Sequence, residues 1–249
     1  MKTINSYNKL FFNPFLFLIL FLTACDNGGT ENYKTTECSV LIDITSSNVP
    51  SLKHISSDEL IKLYQLDIEN YDAGIYRQSF VTETFLNYTH QFQLKGISSV
   101  LMSNSFDREE EIKAFKNQIG SAVLEIQNAK MNRPSSSVYV PICRELIRLS
   151  KSNSNRKILL AYTDLKENSD YLSFLSREAR DDLENNPEKI EDYLVNEMPL
   201  PQDLSEIEVY FIHEPNGNDN FLFKRLSRVY KSMIEKRGGK VYIQANLLI

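Results

Sequence analysis

The sequence predicts an α/β protein built on a doubly wound, mostly parallel sheet with one antiparallel edge strand and helices on both faces. Three observations predict it. Short apolar, β-branched runs recur along the chain, as strands buried on both faces require. Segments with apolar residues three and four positions apart separate most of them, the spacing of helices that cross over between parallel strands. One pair of polar–apolar alternating stretches has only a few residues between its members, which fits an antiparallel hairpin and leaves no room for a crossover. The pattern fills residues 38–249, enough chain for one domain with a sizeable core.

The elements follow in order. Cys38–Asp43 (CSVLID) is the first buried strand. Ser56 opens a helix as a capping box with Glu59, and Leu60, Ile61, Leu63 and Tyr64 continue it at helical spacing. Ile75–Thr84 and Tyr88–Leu94 are the alternating pair, placed as a hairpin at a sheet edge. From Arg108 to Lys130, Ile112, Phe115, Ile119, Val123 and Ile126 form one stripe of a long amphipathic helix. Tyr139–Leu149 is a helix, Lys157–Thr163 (KILLAYT) a buried strand and Ile207–Ile212 (IEVYFI) another. Asp181–Ser205 between them is acidic, contains Asn and Pro, and reads as surface helix and loop. Asn220–Lys236 is a helix stopped by Gly238 and Gly239, and Val241–Ala245 is the last strand. No internal repeat is present.

Ahead of this domain lies a different kind of segment. Lys2 and Lys9 make a positive start, and Phe11–Leu22 is apolar except for Asn13 and Pro14, the order of parts of a signal peptide. The run falls short of the roughly 20 residues that a helix needs to cross a bilayer. It ends in Leu22-Thr23-Ala24-Cys25, which resembles the lipobox of bacterial lipoproteins. The resemblance implies a diacylglycerol on the Cys25 thiol and cleavage just before it. The competing reading is an ordinary secretory signal followed by an incidental Cys. Acyl chains contribute about 0.8 kcal/mol per buried methylene, so two or three of them hold a domain at a membrane without a spanning helix. On this reading residues 1–24 are the signal, 25–37 the lipid anchor and polar tether, and 38–249 a domain outside the cytoplasm in a bacterial cell envelope. Inner and outer membrane both remain open.

Charge and composition narrow the partners. Removing the signal leaves 26 basic against 33 acidic residues, a net charge of −7 that argues against nucleic acid and anionic lipid surfaces. Cys38 and Cys143 each sit in an apolar segment, where isolated buried thiols are the expected state, although an even pair in an oxidising compartment also allows a disulfide. His54, His90 and His213 are too widely spaced for a zinc motif, and no glycine-rich loop suggests a nucleotide.

In a doubly wound sheet, ligands collect at the carboxyl ends of the strands. After the first strand stands Asp43-Ile44-Thr45-Ser46-Ser47, after the fourth Thr163-Asp164, and before a helix Ser135-Ser136-Ser137. Carboxylate and hydroxyl oxygens from three loops suit a hard cation such as magnesium. Other candidates carry less. His213 and Glu214 follow the fifth strand and could line the same face, but a loop His before Pro215 is more often a surface residue. Glu109, Glu110 and Glu111 favour a helix dipole. Lys224, Arg225, Arg228 and Lys231 are spaced as a solvated face.

On these residues the chain resembles the von Willebrand factor A-type (vWA) domain, a Rossmann-like fold, across residues 38–249. Asp43, Thr45 and Ser47 match that family's Asp-x-Ser-x-Ser metal-ion-dependent adhesion site, with Thr45 in place of the usual Ser. Asp164 matches the metal-site Asp of the family's Thr-Asp-Gly, with Leu165 replacing Gly, a loss expected to alter the loop backbone. Ser136 matches the Thr of the third loop, with Ser135 and Ser137 as alternatives. The resemblance implies a site for Mg2+, or Ca2+ or Mn2+, at Asp43, Thr45, Ser47, Ser136 and Asp164. It also implies an open coordination position that an acidic residue of an unknown partner protein fills. Two other readings stand beside this one: a metal-dependent phosphoryl-transfer enzyme, and a vWA-like module that holds no metal. Against an enzyme, position 45 carries no second Asp, no Lys stands out at the sheet edge, and no nucleophile pairs with a base.

Overall fold

The computed structural model describes residues 33–44, 52, 55–81, 86–97, 104–129, 136–214 and 220–247. Among the described residues six strands form one sheet: β1 (Thr35–Asp43), β2 (Ala73–Val81), β3 (Leu86–Leu94), β4 (Arg156–Tyr162), β5 (Ile207–Ile212) and β6 (Lys240–Gln244), in the order β3-β2-β1-β4-β5-β6. All neighbours are parallel except β2 and β3, whose antiparallel pairing carries an irregularity between Gln78 and Ser79. The fold is therefore α/β, with a mostly parallel sheet and one antiparallel edge strand, as the sequence predicts.

Six described helices connect or cover it: α1 (Ser57–Lys62), α2 (Ser105–Asn128), α3 (Tyr139–Ser150), α4 (Arg177–Asn185), α5 (Pro187–Glu197) and α6 (Asn220–Glu235). Successive strand residues point to opposite faces, and two separate apolar layers result. Cys38, Val40, Ile42, Ile158, Leu160 and Tyr162 pack with Leu60 of α1 and with Ile112, Phe115 and Ile119 of α2. Leu41, Leu159, Ala161, Val209 and Phe211 pack with Ile142 and Leu146 of α3 and with residues of α4, α5 and α6. Several helix ends have a local reason. Ser56 accepts a bond from the Glu59 N–H at 3.4 Å, and Asn104 from the Phe106 N–H at 3.1 Å. Gly238 takes φ +86°, the left-handed conformation that ends α6 at least cost in a glycine.

Cys38 and Cys143 are free thiols in opposite layers, with the sheet between them. Burial pushes the first up to about 12 and the second to about 11, so neither is a ready nucleophile. Among the described residues no helix is long and apolar enough to cross a membrane. The signal segment, Cys25 and the first part of the tether lie outside the described residues; the tether expected over 25–37 ends earlier, because β1 begins at Thr35 and Glu37 is buried in the sheet.

The strand order fixes where a ligand site belongs. From β1 the chain goes to β2 on one side, and from β3 it returns past β1 to β4 on the other. The crevice at the carboxyl ends of β1 and β4 is the switch point of the topology. Asp43 closes β1 there, and Thr163-Asp164 follow β4.

Candidate functional site at the carboxyl ends of β1 and β4

The β1–β4 ladder runs to Ile42 opposite Tyr162, which brings the next residues, Asp43 and Thr163, side by side. Thr163 Oγ1 donates to Asp43 Oδ2 at 2.9 Å and accepts from the Leu165 N–H at 2.9 Å. Accepting from the backbone fixes the hydroxyl so that its one proton is aimed at Asp43. Both Asp43 and Thr163 are buried.

The loop after β4 keeps the turn that a glycine would favour. Leu165 adopts φ +60° with its side chain fully buried. The left-handed conformation costs a non-glycine residue about 1–2 kcal/mol, and burying a leucine side chain contributes a comparable or larger amount. A left-handed turn, which a glycine would adopt at least cost, is thus held here by a buried leucine. Beyond it, the Lys166 N–H donates to Asp164 Oδ1 at 3.0 Å, and Lys166 Nζ stands 3.3 Å from Asp164 Oδ2. A lysine therefore does sit at this sheet edge, which corrects the sequence reading that none stands out there. The sequence signal was available: the residue two places after Asp164 is basic.

The same loop docks onto the start of α3. Ser136 and Asn168 exchange backbone bonds, Ser136 N to Asn168 O at 3.1 Å and Asn168 N to Ser136 O at 2.8 Å. Glu167 Oε2 accepts from the Val138 and Tyr139 N–H groups, each at 2.9 Å. Val138 itself makes no side-chain cap, so Glu167 satisfies two of the donors that a helix start leaves open. Burial raises the Glu167 carboxyl above its ordinary range, against the pull of these N–H groups. Sequence reasoning passed over Glu167, because an acid in a polar loop reads as solvated; it is 1% exposed.

Buried polar atoms without a hydrogen-bond partner among the described residues include Ser136 Oγ and the Tyr230 hydroxyl of α6, while the Glu167 carboxylate and the Tyr171 hydroxyl interact with each other. Burial, followed by the Glu167 carboxylate, pushes the Tyr230 phenol well up, and Asp43 adds to the effect. His213 closes the far side. It is 2% exposed, its N–H donates to Gln244 O at 3.0 Å, and its ring lies 4.6 Å from that of Phe223. The expectation of a surface His213 is thus overturned: the ladder from β5 to Gln244 continues through it, and α6 covers its ring.

Of the predicted site residues, Asp43, Ser136 and Asp164 are described and buried on this edge. Thr45, Ser47 and the alternative Ser135 lie outside the described residues. Ser137, the other alternative, is also buried. Among the described residues no group of three or more His, Cys, Asp or Glu side chains forms a metal cluster. A cation at this edge would rest on two carboxylates and on hydroxyl oxygens, of which Ser136 Oγ has no other partner among the described residues. That donor chemistry suits a hard cation.

Comparison with known protein families and with curated proteins yields no match. Among solved structures the chain is similar to the pilus adhesin SpaC from Lactobacillus rhamnosus GG in its open conformation, at 8% identity and a TM-score of 0.40. The match covers 85% of this chain and 28% of the adhesin, so the chain spans under a third of that protein's length. A likeness this distant says nothing of what the chain does.

Proposed function

We propose that this chain is a lipid-anchored envelope protein whose vWA-like domain binds a partner protein through a divalent metal at the carboxyl ends of β1 and β4. The observation that carries the reading is the buried bond from Thr163 to Asp43 across the switch point, with Ser136 Oγ, unpartnered among the described residues, on the same edge. Asp43, Asp164 and Ser136, with Thr45 and Ser47 from the loop after β1, would hold the ion. Bound there, the ion would offer a positive, partly open coordination shell to an acidic side chain of the partner. The chain's own residues prepare for it: Thr163 orients Asp43, and Glu167 fixes the start of α3 next to Ser136. Anchoring through Cys25 would keep the domain at the membrane surface, with the residues from 26 up to the start of β1 at Thr35 as tether.

Crosslinking capture from envelope extract tests the reading. Capture of the same partner with Mg2+, lost in chelator and lost in Asp43→Ala, is the expected result; equal capture in all three sinks it. Labelling with a palmitate analogue tests the anchor, and equal labelling of wild type and Cys25→Ser would end that part.

One observation favours the second reading. Lys166 beside Asp164 supplies the sheet-edge cation whose absence had counted against phosphoryl transfer. Position 45 still carries Thr rather than a second Asp, and binding remains the better supported function. Magnesium-dependent, Asp43-dependent turnover of generic phosphate esters would reverse that order.

A further inference from the structure

We infer that Lys166 is the built-in counter-cation of this edge, a side chain that neutralises Asp164 in the metal-free protein and must be displaced when a divalent ion binds. The inference deepens the proposed metal site and rests on it.

The geometry is specific to the loop after β4. Leu165 in the left-handed conformation reverses the chain directly after Asp164. One consequence is the bond from the Lys166 N–H to Asp164 Oδ1 at 3.0 Å; the other is that the Lys166 side chain returns to the same carboxylate, with Nζ 3.3 Å from Oδ2. Both oxygens of Asp164 thus face donors of one residue. The Asp164 side chain is 6% exposed and that of Lys166 25%, so the pair is screened less than a surface pair, while the lysine keeps a path to water.

The electrostatics then decide two properties. Asp43, Asp164 and Glu167 are buried acids on one edge, and buried acids need a compensating cation. Lys166 supplies one, so the fold does not depend on metal. The ammonium also occupies the oxygen that an incoming ion needs. Like charges at this separation repel, so metal entry requires the lysine to swing outward along its flexible stem. A site of this kind fills only where the divalent ion is abundant or where the acid of a partner adds its own attraction. It thereby links metal occupancy to partner binding.

The test is a magnesium titration of the melting temperature of the full chain, as wild type, Lys166→Met, Lys166→Arg and Lys166→Met/Asp43→Ala. Methionine keeps the aliphatic stem and removes the charge; arginine keeps the charge. The expected result has three parts. Without metal, Lys166→Met melts below wild type and Lys166→Arg close to it. Magnesium restores Lys166→Met with a midpoint at least about tenfold lower than that of wild type, about 1.4 kcal/mol in binding. The double variant does not respond. Equal midpoints for wild type and Lys166→Met would overturn the inference and leave the metal site standing. No response in any variant would remove the metal site and the inference together. If Lys166→Met fails to fold, Lys166→Gln takes its place with the same expected shift in midpoint.

Discussion

The two ends of β1 hold buried acids under opposite conditions. At the amino end, Glu37 is 2% exposed and fully partnered: Arg148 and Arg77 pair with Oε1, and the hydroxyls of Ser152 and Ser154 donate to Oε2. Arg148 also pairs with buried Glu145 at 2.9 Å and donates to Ser39 Oγ at 2.6 Å. At the carboxyl end, acids accumulate around Asp43, and buried polar atoms such as Ser136 Oγ and the Tyr230 hydroxyl have no partner among the described residues. A buried network that satisfies its own members fixes structure; one left incomplete on a sheet's ligand-binding edge marks a place where something else completes it. The amino end therefore serves the fold, and the carboxyl end is the candidate for function.

The contrast can be broken by mutation. Arg148→Met should have the largest effect, because it leaves Glu37 and Glu145 buried without their shared cation. Removing one partner of such a pair costs about 3–5 kcal/mol, read as a lower midpoint in urea. The change should not alter any response to magnesium. A loss below about 1 kcal/mol would mean that water replaces the guanidinium and that the amino end is no better satisfied than the other.

Glu167→Ala should cost less, about 1–2 kcal/mol for the lost cap of α3. Unlike Arg148→Met, it should also weaken magnesium binding, since Ser136 sits next to the N–H groups that Glu167 holds. Glu167→Gln retains an acceptor and should lie between. Full retention of stability in Glu167→Ala would show that α3 starts unaided.

Acid titration should separate the ends by sign. Burial alone would raise Glu37, but the Ser152 hydroxyl and the Arg148 and Arg77 guanidiniums outweigh it and hold the carboxyl below its ordinary 4.5. A depressed folded value contributes stability above the unfolded value and loses it as pH falls through the folded one. Relative to Glu37→Gln, wild type should therefore lose stability below about pH 4.5. Glu167 is raised instead, so its folded form binds the proton more tightly. Relative to Glu167→Gln, wild type should gain stability as pH falls through the raised folded value toward the ordinary 4.5. Denaturation curves across pH check both slopes, and parallel slopes would erase the distinction.

The sheet was legible in the sequence because each strand and helix carries its own period. CSVLID, KILLAYT and IEVYFI lie within or nearly match β1, β4 and β5, and the stripe from Ile112 to Ile126 faces the core as its spacing requires. Asp43 and Asp164 were legible because a strand's carboxyl end is set by the same period. What could not be read is burial imposed by distant chain. Arg108 sits in a run of charges, yet it is 1% exposed because its guanidinium reaches the Lys95 carbonyl at 2.8 Å. Glu167 and Lys166 read as loop surface until the Ser136–Asn168 bridge folds that loop onto α3. His213 reads the same way until α6 covers it. In each case the deciding contact spans a separation that no local pattern records.

The most direct test of the metal-bridged account is the magnesium dependence of melting, at low ionic strength, for wild type and Asp43→Ala. Removing Asp43 deletes one of the two carboxylates and leaves the Thr163 hydroxyl without its acceptor. Wild type should rise with magnesium by the equivalent of about 2.7 kcal/mol at a hundredfold excess over the dissociation constant. Asp43→Ala should show no rise while its circular dichroism stays that of the wild type. Identical responses of the two proteins would contradict the account, and the edge of the sheet would then be a structural feature that holds no metal.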